Sequence, residues 1–207
     1  MPPPTNSDYT VGDIGDFCVE AARRIGAPLW LYRLRAHRAS LTPESVLRIM
    51  ARGGSDGIKD SSGGLEILEA LTVQPHGRSA ARILGDDSLL LEALRRDLCD
   101  QIISGVAGVL PELSLSISES FHTADSASTA RRFAELAELI ARLDQFPVPW
   151  GLKLIAELRG FAGEAYFPLP LTRERSEQVR SFQAWYQVWS AHALVNSRAL
   201  RQINVAP

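Results

Sequence analysis

Ser55-Asp-Gly-Ile-Lys-Asp-Ser-Ser-Gly-Gly64 sets a lysine directly after an apolar residue and in front of a run of turn-forming residues. Read as the last residues of a buried strand and the loop that follows it, this stretch decides the fold, because the same order of residues recurs on both sides of it. The lysine is itself unusual. Of 22 basic residues, only Lys59 and Lys153 are lysine, so a chain that otherwise uses arginine has little generic reason to place an ammonium at position 59.

Upstream, Val11, Ile14, Phe17, Cys18, Ala21, Ala22 and Ile25 fall at three- and four-residue intervals, one face of a helix that Thr10 caps and Gly26 stops. Pro28-Leu-Trp-Leu-Tyr-Arg-Leu34 is short and almost wholly apolar up to Tyr32, the profile of a strand buried on both faces. Thr42-Pro43-Glu44 opens a second helix, with threonine as cap, proline at the first helical position and an early carboxylate on the helix dipole. It runs to about Arg52 and ends at Gly53-Gly54. Downstream, the pattern predicts a helix from Leu65 to about Leu71, a strand over Ala81–Leu84, a helix from Ser88 to about Leu98 and a strand over Gln101–Ser104. Alternating strands and helices with short connections imply parallel strands with crossover helices.

After about Val109 the strands stop. Ala127–Leu143, Trp150–Phe161 and Thr172 to about Gln202 carry helical periodicity, punctuated by Pro147, Pro149, Pro168 and Pro170. In the last of these, Phe182, Trp185, Tyr186 and Trp189 recur at helical spacing and read as core or subunit packing. Residues 1–109 thus form βα units, and residues 110–207 form a helical region.

Composition narrows the function. A formal net charge of -2 and the absence of a basic stripe leave no electrostatic footprint for nucleic acid. The two cysteines, Cys18 and Cys99, have no histidine or second sulfur at metal-ligand spacing and read as small buried hydrophobes. The opening MPPPTNSDYT lacks the regions of a signal peptide, and no stretch approaches the about 20 apolar residues of a membrane span. The expectation is a cytoplasmic protein that binds neither membrane nor nucleic acid.

In parallel α/β architectures, ligands gather where the carboxyl ends of the strands converge. Tyr32, Lys59, Gly85-Asp86-Asp87 and Ser104-Gly105 each stand at such an end. Strands end in polar residues and glycine in any α/β protein, so the placement alone does not make a site. A lysine walled by apolar neighbours is partly desolvated, however, which disfavours its ammonium form. The neutral amine adds to a ketone to give a Schiff base, whose protonated imine lets the neighbouring carbon lose a proton or a carbon–carbon bond. Arginine cannot do this. Two readings stand for Lys59: this chemistry, with Tyr32 carrying protons one strand earlier, or a structural ion pair with Asp56 or Asp60.

Gly57-Ile-Lys-Asp-Ser-Ser-Gly63 resembles the Schiff-base lysine signature of the dihydrodipicolinate synthase and N-acetylneuraminate lyase family, class I aldolase-type enzymes on a TIM barrel. The likeness extends to Leu29-Trp-Leu-Tyr32, Leu41-Thr-Pro-Glu44, Leu84-Gly-Asp-Asp-Ser88, Ile102-Ile-Ser-Gly105 with Val109-Leu-Pro-Glu-Leu113, and Trp150-Gly-Leu-Lys153 to Gly160 with Pro168-Leu-Pro-Leu171. The resemblance implies the carboxyl-terminal half of a (β/α)8 barrel, roughly its last four strands, followed by a helical carboxyl-terminal region. It also implies a lyase acting on pyruvate or a related 2-keto acid, with Lys59 as the Schiff-base residue and Tyr32 as proton shuttle. Ser61, Gly85, Asp87, Ser104 and the backbone of Ile103 would line the pocket. No metal or organic cofactor is implied, because the lysine supplies the electron sink. The family's frequent tetramers imply a homo-oligomer.

The chain also departs from the family pattern. A complete barrel has eight βα units in about 250 residues, and the segment before the helical tail holds about half of that. Met1-Pro-Pro-Pro-Thr-Asn6 resembles the tail of the family's fourth strand, with Asn6 or a neighbour where many members have another tyrosine. The family's Gly-Thr-Thr-type loop, which binds the keto-acid carboxylate, is absent. Arg33-Leu-Arg-Ala-His-Arg38 replaces an Asn-x-Pro stretch, leaving His37 or Arg38 to meet a co-substrate carboxylate, and Gly108 stands at an asparagine-like position. A half barrel leaves strand edges unpaired. The expectation is therefore a truncated copy or misplaced start of a longer gene, with a catalytically incomplete remnant acting by association as the alternative to an enzyme.

Overall fold

The computed structural model describes residues 9–34, 41–73, 80–165, 167–168 and 170–194. The chain divides into two compact units, Met1–Ser104 and Gly105–Pro207.

The first unit alternates helix and strand: α1 (Val11–Ile25), β1 (Trp30–Leu34), α2 (Pro43–Ala51), β2 (Gly57–Ser61), α3 (Glu66–Thr72), β3 (Ala81–Leu84), a 3₁₀ turn (Asp87–Leu89), α4 (Leu90–Arg95) and β4 (Gln101–Ile102). The strands form a parallel sheet in the order β1-β2-β3-β4, as the alternation of patterns predicts. Neither the outer edge of β1 nor that of β4 has a strand partner among the described residues.

Local chemistry fixes the joints. Thr10 and Asp13 form a reciprocal capping box on α1, the Asp13 amide donating to Thr10 Oγ1 at 3.2 Å and the Thr10 amide to Asp13 Oδ2 at 2.8 Å. Gly26 closes that helix at φ 62°, a left-handed conformation that costs glycine nothing. Thr42 caps α2, with Pro43 at the first helical position. Where β2 begins, a Cβ on Gly57 would lie 2.6 Å from the Ala81 carbonyl oxygen, so glycine lets β2 and β3 approach. At the far side Arg82 grips Asp100, whose Oδ2 also accepts the Arg82 amide at 2.9 Å, tying β3 to the entry of β4.

The core of this unit lies on the helix-covered face, where Leu31, Val46, Ile49, Ile58, Ile67, Leu68 and Leu84 are buried. The expectation that β1 is buried on both faces is corrected. Leu31 is 7% exposed, whereas Trp30 and Tyr32, pointing the other way, are 49% and 45% exposed. Side chains alternate along a strand, so Leu31 enters the helix-covered core while Trp30 and Tyr32 stand on the other face at the sheet's edge, where they meet solvent; further in on that face Ile83 is buried. The two thiols also differ: Cys18 is buried and Cys99 only half-buried, and burial pushes both above the ordinary thiol range.

The second unit is helical: α5 (Gly105–Val109), α6 (Pro111–His122), α7 (Ser126–Leu143), α8 (Trp150–Leu158) and α9 (Arg173–Ala193). The expected extension of the last helix to Gln202 lies outside the described residues. Phe182, Tyr186 and Trp189 are buried, so the aromatic stripe is core. Phe182 meets Phe146 edge to face at 5.4 Å, and Trp185 Nε1 donates to Glu138 at 3.0 Å.

Candidate active site

Parallel register places Tyr32 beside Lys59, and Lys59 beside Ile83. Because side chains alternate along a strand, Tyr32, Lys59 and Ser61 share one face while Arg33 and Asp60 share the other. The Lys59 Nζ lies 4.6 Å from the centroid of the Tyr32 ring, a cation–π approach. Among the described residues no carboxylate pairs with this amine. The alternative reading of Lys59 as half of an ion pair is therefore corrected: the Asp60 carboxylate takes Arg33 at 3.1 Å on the opposite face, and Asp56 Oδ2 accepts the Leu29 amide at 3.1 Å.

Gly85 and Ser61 complete the immediate surroundings. A Cβ on Gly85 would collide with Ser61 Oγ and come 2.7 Å from Lys59 Cε, with the Asp60 carbonyl oxygen 3.2 Å away. The missing side chain is what leaves room for the other two. Ser61 Oγ is buried and makes no hydrogen bond among the described residues. A buried hydroxyl without a partner is costly, so this one, beside the Lys59 stem, is available to a ligand. Ile103, Ser104 and Asp87 stand at the ends of the following strands; Ile103 is half exposed and its amide donates to the Leu84 carbonyl at 3.0 Å, holding the chain in line past the end of β4. The structure thus brings Lys59, Tyr32, Ser61 and Gly85 into contact and sets the other three along the same edge. His37, Arg38 and Asn6 lie outside the described residues, and Gly108 falls within α5. Among the described residues no three His, Cys, Asp or Glu side chains converge as a metal site.

Sequence reading missed Arg33, which it grouped with the basic segment that follows. Its guanidinium donates to Asp60 Oδ2 at 3.1 Å, Ser62 Oγ at 2.7 Å and Glu66 Oε1 at 2.7 Å. Burial works against the Arg33 cation, but the bond to Glu66 and the charge of Asp60 outweigh it and raise its pKa. Glu66 is held below the ordinary carboxylate range by its own amide and by Arg33. The signal was present: strand alternation sends residue 33 to the face opposite residue 32.

The comparisons with known proteins fit this geometry. The chain aligns with a dihydrodipicolinate synthase from Bacteroides thetaiotaomicron at a TM-score of 0.74 and 19% identity, over 90% of this chain and 64% of that one. With a Ruminococcus gnavus sialic acid aldolase the TM-score is 0.73 at 18% identity, over 91% and 64%. The fold is thus the carboxyl-terminal part of a (β/α)8 barrel with its helical tail. The profile of the dihydrodipicolinate synthetase family matches residues 13–187, and the chain belongs to that family. An uncharacterized DapA-like lyase of Halobacterium salinarum is 30% identical over 162 residues, 75% of this chain and 52% of its own length. A 4-hydroxy-tetrahydrodipicolinate synthase of Methanoculleus marisnigri is 28% identical over 158 residues, 74% of this chain and 53% of its own. The chain spans about half the length of the curated relatives it matches.

Proposed function

We propose that this chain carries the Schiff-base site of a class I aldolase-type lyase acting on pyruvate or a related 2-keto acid. The observation that supports it is the Lys59 amine, unpaired with any carboxylate among the described residues and 4.6 Å from the Tyr32 ring centroid at the carboxyl edge of a parallel sheet. The neutral amine adds to the keto carbon, and the carbinolamine expels water to leave the protonated imine. That imine accepts the electron pair released when the adjacent carbon loses a proton or a carbon–carbon bond. Tyr32 delivers and removes the protons of these steps. Ser61 Oγ, the space at Gly85, the Ile103 backbone, Ser104 and Asp87 receive the substrate. The reading extends to a cytoplasmic homo-oligomer without a bound cofactor.

Borohydride with pyruvate tests it. Hydride reduces the imine carbon to a secondary amine, and peptide mass spectrometry is expected to find the added group on Lys59. Full recovery of an unmodified Lys59 sinks the reading; modification confined to Lys153 sinks it equally.

A further inference from the structure

The helix-covered face of β1 and β2, opposite Tyr32 and Lys59, carries a charged cluster that the proposed chemistry does not use. Asp60 is 1% exposed, and its carboxylate accepts from the Arg33 guanidinium on Oδ2 and from the Ser62 amide on Oδ1 at 2.9 Å. Arg33 continues to Ser62 Oγ and to Glu66 at the first turn of α3. A buried carboxylate is sensitive to misplacement of its cation, because breaking such a pair leaves a charge out of water that only the Ser62 amide still meets. The pair therefore works as a register pin. Arg33 and Asp60 are register partners, and so are Tyr32 and Lys59 immediately before them in each strand. A slip of one residue would part both pairs at once.

We infer that the Arg33–Asp60 pair is a positioning device, which sets the Tyr32 ring against the Lys59 amine from the opposite face of the sheet. This rests on the proposed function only for its catalytic consequence; the geometric part stands alone. Both are open to test because the chain has two lysines. With ¹³C at the lysine ε-carbon, a proton–carbon spectrum holds one signal from Lys59 and one from Lys153. Tyr32→Leu marks the position that the Lys59 signal takes without the ring.

In Asp60→Asn, Arg33→Met and the doubly neutral Arg33→Met/Asp60→Asn, the Lys59 signal is expected to travel at least halfway to the Tyr32→Leu position while the Lys153 signal stays. A folded Asp60→Asn or double variant whose Lys59 signal sits where the native one does overturns the inference. Should the neutral variants fail to fold, Arg33→Lys carries the test, since it keeps the charge but its shorter, flexible stem does not hold an ammonium in the fixed place of Nη1, the one nitrogen from which Arg33 makes all three bonds. There, an unmoved Lys59 signal overturns the inference. In the second arm, Asp60→Asn slows pyruvate trapping about tenfold at an unchanged half-saturating concentration, and slows it no further once Tyr32 is leucine. Equal slowing in both backgrounds counts against positioning. Absence of trapping in the native chain refutes the proposed function and leaves the spectra to decide the geometry.

Discussion

At the scale of single residues, the site depends on an absence. Gly85 has no side chain because Ser61 Oγ, Lys59 Cε and the Asp60 carbonyl oxygen already occupy the volume a methyl group would need. The first two atoms lie on side chains that can swing away, and the third is backbone. Gly85→Ala is therefore expected to displace the Lys59 amine more than it unfolds the chain. The stability cost is about 1–2 kcal/mol by urea denaturation, with pyruvate trapping at Lys59 slowed about tenfold or more. A variant that traps at the native rate would mean that the lysine stem does not run past Gly85. Lys59 itself was legible because it breaks the chain's arginine habit at a strand end. Arg33 was not, since its partners sit 27 to 33 residues away and nothing in a linear reading joins them until the register is known.

At the scale of elements, α6 carries two patterns at once. The first five residues of Leu113-Ser-Leu-Ser-Ile-Ser-Glu-Ser-Phe121 alternate apolar and polar as a strand would, while Leu113, Ile117 and Phe121 keep the four-residue spacing of a helix face. It folds as a helix because Pro111 starts it and because Ser116 and Ser120 satisfy their buried hydroxyls on the Leu113 and Ile117 carbonyls at 2.9 and 3.0 Å. Its first turn buries Glu112 against Arg159 of α8 at 2.5 Å, while Arg159 also donates to the Val109 carbonyl at 2.8 Å. Arg159→Met strands that carboxylate and is expected to cost about 3 kcal/mol, measured by urea denaturation. Glu112→Leu/Arg159→Met, which removes both charges, should recover most of the loss. If the double variant is as unstable as the single, the Val109 contact is what matters. By contrast, the βα alternation was plain from sequence, because caps and strand ends are local chemistry.

For the whole molecule, the titrating groups set a window of stability. Asp13, Glu66 and Asp100 are held below the ordinary 3.8 or 4.5 by hydrogen bonds, to Thr10, to the residue's own amide and Arg33, and to Arg82 respectively; Glu20 is lowered to about 2 by Arg23 and Arg24. Carboxyls whose folded pKa is depressed contribute above their unfolded values, and that contribution is lost as pH falls through the folded ones. At the other end, burial pushes the Tyr186 phenol from 10.0 up to about 12. The unfolded chain releases that proton first, so stability drops as pH rises from about 10 towards 12. Thermal unfolding followed from pH 3 to 11 is expected to give a plateau with a fall on either side. Tyr186 is 4% exposed, and its hydroxyl makes no hydrogen bond among the described residues. Tyr186→Phe should thus keep the neutral-pH midpoint to within about 1 kcal/mol and flatten the alkaline limb. An alkaline fall identical in the variant would assign it to another group.

The outer flanks of β1 and β4, which have no strand partner among the described residues, carry one more implication. Each offers a row of amides and carbonyls at strand spacing, and any extended peptide that reaches them gains a ready template. In concentrated solution the chain is expected to recruit further copies, with turbidity growing faster than in proportion to protein added. A lysine at Leu31, whose side chain is buried, would wreck the core, whereas the half-exposed Trp30 beside it tolerates a charge. Trp30→Lys is the substitution that keeps the sheet and repels the newcomer.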